Sequence, residues 1–159
     1  MTRGRVTPAR AAGGVAAVAL ACAVACAGIN AQTNAYATLQ EARNAGAVAN
    51  GWVPEWLPPG SHDLREAHVP GTTSVWGIVN FPQDQADLFR AALLPDQVPL
   101  DGLRLEMPGR IEWWPIELRG ALNGERLGIV GIRGYRARHS NFIVAVNWNQ
   151  GRAYYWSTR

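Results

Sequence analysis

Four side chains of types that ligate metal ions lie close together in the sequence: His62, Asp63, Glu66 and His68. Imidazole and carboxylate groups are common ligands of zinc and other transition metals. On an extended strand His62, Glu66 and His68 would share a face, but six residues of strand separate the two histidines by about 20 Å. Metal–ligand bonds are about 2 Å long, so one ion could not bridge that gap. We therefore predict a solvated polar strand face, with no metal ion and no cofactor.

Two glutamates, Glu112 and Glu117, could act as the acid and the base of a glycosidase. The adjacent Trp113 and Trp114 would then supply aromatic faces for sugar stacking. The same glutamates also suit a solvated surface near the start of a helix, where the helix dipole favours negative charge. A hydrolase of envelope polysaccharide that uses Glu112 or Glu117 is therefore one alternative for the function. The chain has no Gly-x-Ser-x-Gly element and both of its cysteines lie near the N-terminus, so no other catalytic residues are predicted.

The N-terminal segment has the pattern of an export signal. Arg3, Arg5 and Arg10 precede an uncharged run over residues 11–29, which ends in small-x-small triplets of the kind that signal peptidases cleave. A run of this length could also remain as a membrane-spanning helix. Residues 1–31 are therefore predicted to be a signal peptide or an N-terminal membrane segment, and the protein is predicted to be exported to the periplasm or cell envelope.

Both cysteines, Cys22 and Cys26, lie inside that uncharged run. Ala23-Val24-Ala25-Cys26 resembles the bacterial lipobox, although leucine is usual where Ala23 stands. Cys26 is therefore a candidate for lipid attachment, with a chance occurrence in an alanine-rich segment as the alternative. In either case the remaining chain has no cysteine pair and must be stable through its core alone.

The net charge of +3 comes from the N-terminal arginines. The three of them leave 12 of the 15 basic residues for the rest of the chain, and these equal the 12 acidic residues. A basic surface for nucleic acid is therefore not predicted. The expected partners are a membrane, through the N-terminal segment or a lipid, and a protein or polymer of the envelope.

Residues 36–159 are predicted to form a single globular domain, since this length suits one hydrophobic core. A capping box formed by Thr38 and Glu41 begins a predicted helix. The predicted fold is α+β, a single mostly antiparallel sheet of about five strands with two or three short helices packed on one face. The predicted strands are 62–69, 73–81, 127–136, 141–148 and 153–157, and the predicted helices are 39–49, 84–94 and a short one that begins near Pro115.

The last two predicted strands form a hairpin with two aromatic faces. A two-residue loop at Gln150 and Gly151 would place Asn147 opposite Tyr154, and Ala145 opposite Trp156. Alternation then assigns the side chains to two faces, with Val144, Val146, Trp148 and Tyr155 on one and Ile143, Asn147, Tyr154 and Trp156 on the other. The second face is either another packed layer or an exposed aromatic platform, in which case Asn147, Tyr154 and Trp156 form a candidate ligand surface.

Several short motifs together resemble one protein family. They are the run from Tyr36 to Ala42, the element Gly51-Trp52-Val53-Pro54-x-x-Leu57-Pro58, the element Trp113-Trp114-Pro115-x-x-Leu118 and the terminal Ala153-Tyr154-Tyr155-Trp156. As a set these motifs resemble a family of small, uncharacterised bacterial exported or lipoprotein-like proteins. The resemblance covers most of residues 36–157 and implies a location in the envelope, without a known activity.

These observations favour a non-enzymatic binding or interaction module of the cell envelope. The polysaccharide hydrolase is one alternative. A structural or assembly lipoprotein, held at a membrane through Cys26, is the other.

Overall fold

Six antiparallel strands form the central sheet in the computed structural model, which describes residues 31–109 and 111–157. The strand order is β1-β2-β3-β8-β7-β6, and a separate ribbon pairs β4 with β5. The strands are β1 (Gln32–Thr38), β2 (His62–His68), β3 (Val75–Asn80), β4 (Arg104–Leu105), β5 (Gly120–Ala121), β6 (Ile132–Arg136), β7 (Phe142–Asn147) and β8 (Arg152–Ser157). The helices are α1 (Leu39–Asn44), α2 (Ala86–Ala91) and α3 (Gly124–Ile129), with single 3₁₀ turns at Gln83–Gln85 and Ile116–Leu118.

The predicted antiparallel sheet with short helices is confirmed, but the sheet has six strands and not five. The additional strand is β1, in which Tyr36 alone is buried. A second difference lies at residues 127–136, where the sequence predicts one strand. There the chain forms the end of α3, turns at Gly131 with a φ of 77°, and only then begins β6.

The first face of the sheet is covered by α1, α2 and the proline-rich segment between α1 and β2. Helix α1 begins at the predicted capping box, since the Glu41 amide donates to Oγ1 of Thr38 at 3.2 Å and the Ala37 amide donates to Oε2 of Glu41 at 2.7 Å. Leu39 of α1 and Phe89 of α2 are fully buried against this face. These two helices share one face as predicted, but the third helix, α3, packs on the other face, so the helices are not all on one side of the sheet.

The second face is covered as well, by residues 100–132, where the sequence predicts only a short helix near Pro115 and the first part of the strand over 127–136. Trp114 anchors this layer, being almost completely buried, with its indole N–H donating to the Leu118 carbonyl at 2.8 Å. Helix α3 adds Leu127 to the same cluster. The helix start predicted near Pro115 is only a single 3₁₀ turn. The sheet is therefore enclosed on both faces over most of its area.

The hairpin of β7 and β8 has the predicted faces but a different register. Asn147 pairs with Arg152, and Ala145 pairs with Tyr154, so the loop contains four residues, 148–151, in place of two. A shift of two residues leaves every side chain on its predicted face, because the strand period is two. Val144, Val146 and Tyr155 accordingly lie in the first core cluster, and Ile143, Tyr154 and Trp156 lie in the second.

The N-terminal predictions, including the signal segment and lipid attachment at Cys26, lie outside the described residues. Within residues 31–109 and 111–157, no helix is long and apolar enough to cross a bilayer.

Candidate functional site

A row of four residues crosses the sheet at the level of one buried carboxylate. Asn34 of β1 pairs with Glu66 of β2, Glu66 pairs with Gly77 of β3, and Gly77 pairs with Tyr155 of β8. A Cβ atom on Gly77 would lie 1.9 Å from Cζ of the Tyr155 ring. The absence of a side chain at Gly77 therefore allows the Tyr155 ring to lie across β3 towards Glu66.

Glu66 is fully buried and is the centre of a polar network. Its Oε1 accepts a hydrogen bond from Nδ2 of Asn34 at 2.6 Å, and its Oε2 lies 2.9 Å from Nδ1 of His68. The His68 ring stacks on the Trp52 indole, with 3.7 Å between ring centroids and 7° between planes. The Trp52 carbonyl in turn accepts from the hydroxyl of Tyr155 at 3.1 Å. Buried polar groups are tolerated when they are hydrogen-bonded in this way.

Two tyrosines beside the carboxylate have raised pKa values. Burial raises the pKa of Tyr36 above 10.0, and the charge of Glu66 together with a hydrogen bond to it adds to the rise. Burial also raises the pKa of Tyr155 well above 10.0, with smaller contributions from Glu66 and Tyr36. Both phenols stay protonated at neutral pH, so the network presents them as hydroxyl groups.

The four side chains of metal-ligating type at residues 62–68 do not converge on one point. His62 is exposed and its Nδ1 lies 3.1 Å from the Gly60 carbonyl, whereas His68 is buried under Trp52. Asp63 has a φ of 50° and lies at an irregularity in the pairing of β2 with β3. In the part of the chain that the structure describes, no group of three or more His, Cys, Asp or Glu side chains could hold a metal ion. The predicted solvated strand face is wrong for Glu66 and His68, which are both buried.

A groove of about 550 Å³ opens on the second face of the sheet, beside β1, β2 and β3. Ala35, Ala37 and Ile78 contribute small or apolar side chains to its lining. Trp113 lines it from the layer that covers this face and is half-buried. The groove therefore combines small and apolar residues of the sheet with one large aromatic side chain.

The groove also contains two guanidinium groups and one carboxylate, from Arg65, Arg152 and Asp63. Nε of Arg152 donates to Oδ1 of Asn80 at 2.8 Å, and Nδ2 of Asn80 donates to Oδ2 of Asp63 at 3.2 Å. Arg65 is exposed, and among the described residues it makes no ion pair. Its donors are thus available to a ligand, and the charged groups lining the groove sum to one positive charge.

The predicted ligand surface of Asn147, Tyr154 and Trp156 is a packed layer and not an open platform. Only 5%, 8% and 5% of these residues is exposed. Nδ2 of Asn147 donates to the Val130 carbonyl at 2.8 Å, which ties β7 to the turn before β6. The rings of Tyr154 and Trp156 pack edge-on around Trp114, with centroids 5.8 and 6.3 Å from it. The sequence left two interpretations of this face open, a packed layer and an exposed platform, and the structure has the packed layer.

The candidate carboxylates Glu112 and Glu117 are both exposed, and neither lines the groove. Trp113 does line it, whereas Trp114 is part of the core. The sequence pattern therefore indicated Trp113 of the groove but neither Arg65 nor Arg152. Alternation along β2 places the side chains of Arg65 and Glu66 on opposite faces of the sheet, and this much is predictable from the sequence. The position of Trp113 relative to Arg65 depends on the tertiary fold.

Comparison with known proteins gives a match to part of the chain. Residues 30–78 match the family described as the YbbD head domain. This segment contains β1, α1, β2 and most of β3, and with them Asn34, Trp52, Glu66 and His68 of the buried network. No curated protein and no solved structure matches the chain.

Proposed function

We propose that the protein is a non-enzymatic binding module of the bacterial cell envelope, and that it holds a carboxylate-bearing polysaccharide in the groove of Arg65, Arg152 and Trp113. The observation that carries the proposal is the presence of the unpaired Arg65 guanidinium and the half-buried Trp113 indole in one groove on an otherwise covered sheet face. The match of residues 30–78 to the YbbD head domain supports an envelope-related role.

The chemistry of the groove favours an acidic sugar over a neutral one. Guanidinium groups bind carboxylates through two parallel hydrogen bonds, and such charge-assisted bonds are about twice as strong as neutral ones. A pyranose ring presents C–H groups to an aromatic face, which suits Trp113. Asn80, held between Arg152 and Asp63, fixes the direction of the Arg152 side chain, so part of the binding geometry exists before the ligand arrives.

The buried network supports this role from the opposite face. Asn34 of β1 and Glu66 of β2 hydrogen-bond on the first face, while Ala35 and Arg65 of the same two strands line the groove on the second face. The bond therefore holds β1 against β2 beneath the groove. In this arrangement Glu66 positions the groove and does not contact the ligand.

The test is a titration of the full chain with a tetramer of galacturonic acid, followed by calorimetry. The wild type is expected to bind this acidic tetramer more tightly than it binds a neutral maltotetraose of the same length. Arg65→Gln should weaken the affinity at least about tenfold, which corresponds to the loss of one charge-assisted hydrogen bond of about 1.5 kcal/mol or more. Trp113→Ala should also weaken the affinity, because it removes the aromatic face against which the sugar ring packs. Arg136→Gln is the matched control, because Arg136 is an exposed arginine at the other edge of the sheet.

Equal affinity for the acidic and neutral tetramers, or equal weakening by Arg136→Gln, would contradict the proposal. The same incubations also test the hydrolase alternative. Mass spectrometry should find the tetramer intact, and shortened products that disappear in Glu112→Gln or Glu117→Gln would favour hydrolysis.

The proposed location rests on the N-terminal sequence. Residues 1–31 are proposed to direct export, with Cys26 as the site of a lipid anchor in one form of the mature protein. Intact-mass analysis of the natural protein distinguishes an acylated Cys26 from a free N-terminus at Gln32 and from an uncut chain. An acylated chain would favour the membrane-anchored lipoprotein, whereas an unprocessed chain in the cytosol would argue against export.

A further inference from the structure

The two edges of the central sheet differ in what covers them. The outer edge of β6 is closed by residues 92–98, because the Leu94 amide donates to the Arg136 carbonyl and the Val98 amide donates to the Gly134 carbonyl, both at 2.8 Å. The outer edge of β1 has no partner strand among the described residues. An open edge presents a row of unpaired N–H and C=O groups that can pair with another strand.

The free groups on β1 can be assigned to particular residues. The Ala37 amide donates to the Glu41 side chain, so the odd-numbered residues of β1 direct their backbone groups away from β2. The hydrogen bonds at the opposite edge of the sheet agree with this assignment. When the alternation is followed from β1 through the strand registers to β6, Gly134 and Arg136 are the outward residues of β6. Their carbonyls are the ones that accept hydrogen bonds from residues 92–98. Thr33 and Ala35 therefore each offer one free N–H and one free C=O at the edge.

The composition of β1 does not protect this edge. The strand reads Gln-Thr-Asn-Ala-Tyr-Ala-Thr, with seven residues, no charge, no proline and no bulge of its own. Charged side chains, prolines and bulges are the usual means by which proteins prevent edge-to-edge pairing. An uncharged strand meets no electrostatic repulsion from a second copy of itself, so the strand is suited to homotypic pairing.

We infer that β1 pairs antiparallel with β1 of a second copy of this chain, about a two-fold axis at Asn34. In this register Thr33 of each copy lies opposite Ala35 of the other copy. Each of the two pairs exchanges two backbone hydrogen bonds, so the four bonds use the free N–H and C=O groups of both residues in both copies. The register centred on Ala35 is less favourable, because it would require the Ala37 amide that already donates to Glu41. The small side chains of Thr33 and Ala35 leave the joint free of steric conflict on the groove face.

The inferred pairing is independent of what the groove binds, but it has a consequence for that site. Ala35 and Ala37 of β1 line the groove. Opposite residues in an antiparallel pair project to the same face of the sheet, so the grooves of the two copies would lie side by side on one face. Two adjacent sites suit a repetitive polymer, for which linked binding events raise the overall affinity.

Sedimentation velocity of the full chain at about 100 μM tests the association, because a dimer with a micromolar Kd is largely formed at that concentration. The wild type is expected to sediment as a dimer. Ala35→Pro removes an outward N–H without removing a hydrogen bond to β2, and it should sediment as a monomer whose urea unfolding midpoint is close to that of the wild type. A wild-type chain that is monomeric, or an Ala35→Pro chain that remains dimeric, would overturn the inference.

Cross-linking tests the register in a full chain whose Cys22 and Cys26 are replaced by serine. Asn34→Cys should form a disulfide-linked dimer, since residues facing each other across a non-hydrogen-bonded antiparallel pair have Cα atoms about 4.5 Å apart, within the range of a disulfide. Gln32→Cys is the matched control, because it lies on the same face of β1 but is opposite Tyr36 of the other copy. Equal cross-linking of the two variants would overturn the inferred register.

Discussion

Substitution of Gly77 by alanine is expected to destabilise the fold through Tyr155, a residue on another strand. The added Cβ would lie 1.9, 2.2 and 2.4 Å from Cζ, Oη and Cε1 of the Tyr155 ring, and ordinary contact begins at 3.4 Å. The ring must therefore retreat by about 1.5 Å, the difference between 3.4 and 1.9 Å, and lose the hydrogen bond from its hydroxyl to the Trp52 carbonyl. Overpacking costs about 1 to 3 kcal/mol and a lost hydrogen bond about 1 kcal/mol, so we expect a loss of about 2 to 4 kcal/mol.

Urea denaturation followed by tryptophan fluorescence measures this loss. Leucine lacks the far ring atoms that the new Cβ would strike, so Gly77→Ala should cost much less in a Tyr155→Leu background, with a coupling energy of about 2 kcal/mol. Gly109→Ala is the control, because no atom lies within 4 Å of a Cβ built there, and its effect should stay within about 0.5 kcal/mol. Strictly additive effects of Gly77→Ala and Tyr155→Leu would refute the assigned contact.

Three further predictions concern the network and the first helix. Because the pKa of Tyr155 is raised, this phenol ionises near pH 10.0 in the unfolded chain and stays protonated in the folded chain, so the free energy of unfolding should fall above that pH by about 1.4 kcal/mol per pH unit. Tyr155→Phe should reduce this slope, as measured by urea denaturation at several alkaline pH values. Glu66→Leu leaves Asn34 and His68 without their acceptor and should cost about 3 kcal/mol, measured by thermal unfolding at constant pH. Thr38→Ala removes the N-cap of α1 and should cost about 1 kcal/mol in the same assay, whereas Thr38→Ser should be nearly neutral.

The sequence predicts elements well where local patterns decide the structure. Alternation identifies β2, β3, β7 and β8, and the capping box identifies α1, because these signals reside in neighbouring residues. Strand β1 lacks such a signal, since Tyr36 is its only buried residue and its strand conformation depends on pairing with β2. The strand predicted over 127–136 had a local counter-signal, because Asn123 caps α3 by accepting a hydrogen bond from the Arg126 amide. Apolar spacing alone could not reveal that helix.

The candidate site depends on contacts between distant parts of the chain. His68 and Glu66 lie two residues apart on one strand and their shared face is predictable, but their burial requires Trp52 to stack on the imidazole. The groove likewise requires Trp113 to reach β3 near Ile78, although 35 residues separate them in sequence. The sequence therefore indicates which residue types could form a polar network or bind a ligand, but not which side chains lie next to them in the fold.

Strand β2 connects the two features because its side chains alternate between the faces of the sheet. The Glu66 side chain lies on the first face, where it accepts a hydrogen bond from Asn34 of β1. The Arg65 side chain lies on the second face, where it lines the groove together with Ala35 of β1. Apolar residues in place of a whole buried polar network are often as stable as the network or more stable, so stability alone does not account for Glu66 and its partners. Its bond to Asn34 does hold β1, whose outer edge has no partner strand among the described residues. This polar contact on the first face thus adds to the backbone pairing with β2 that positions β1, and with it the groove lining and the open edge.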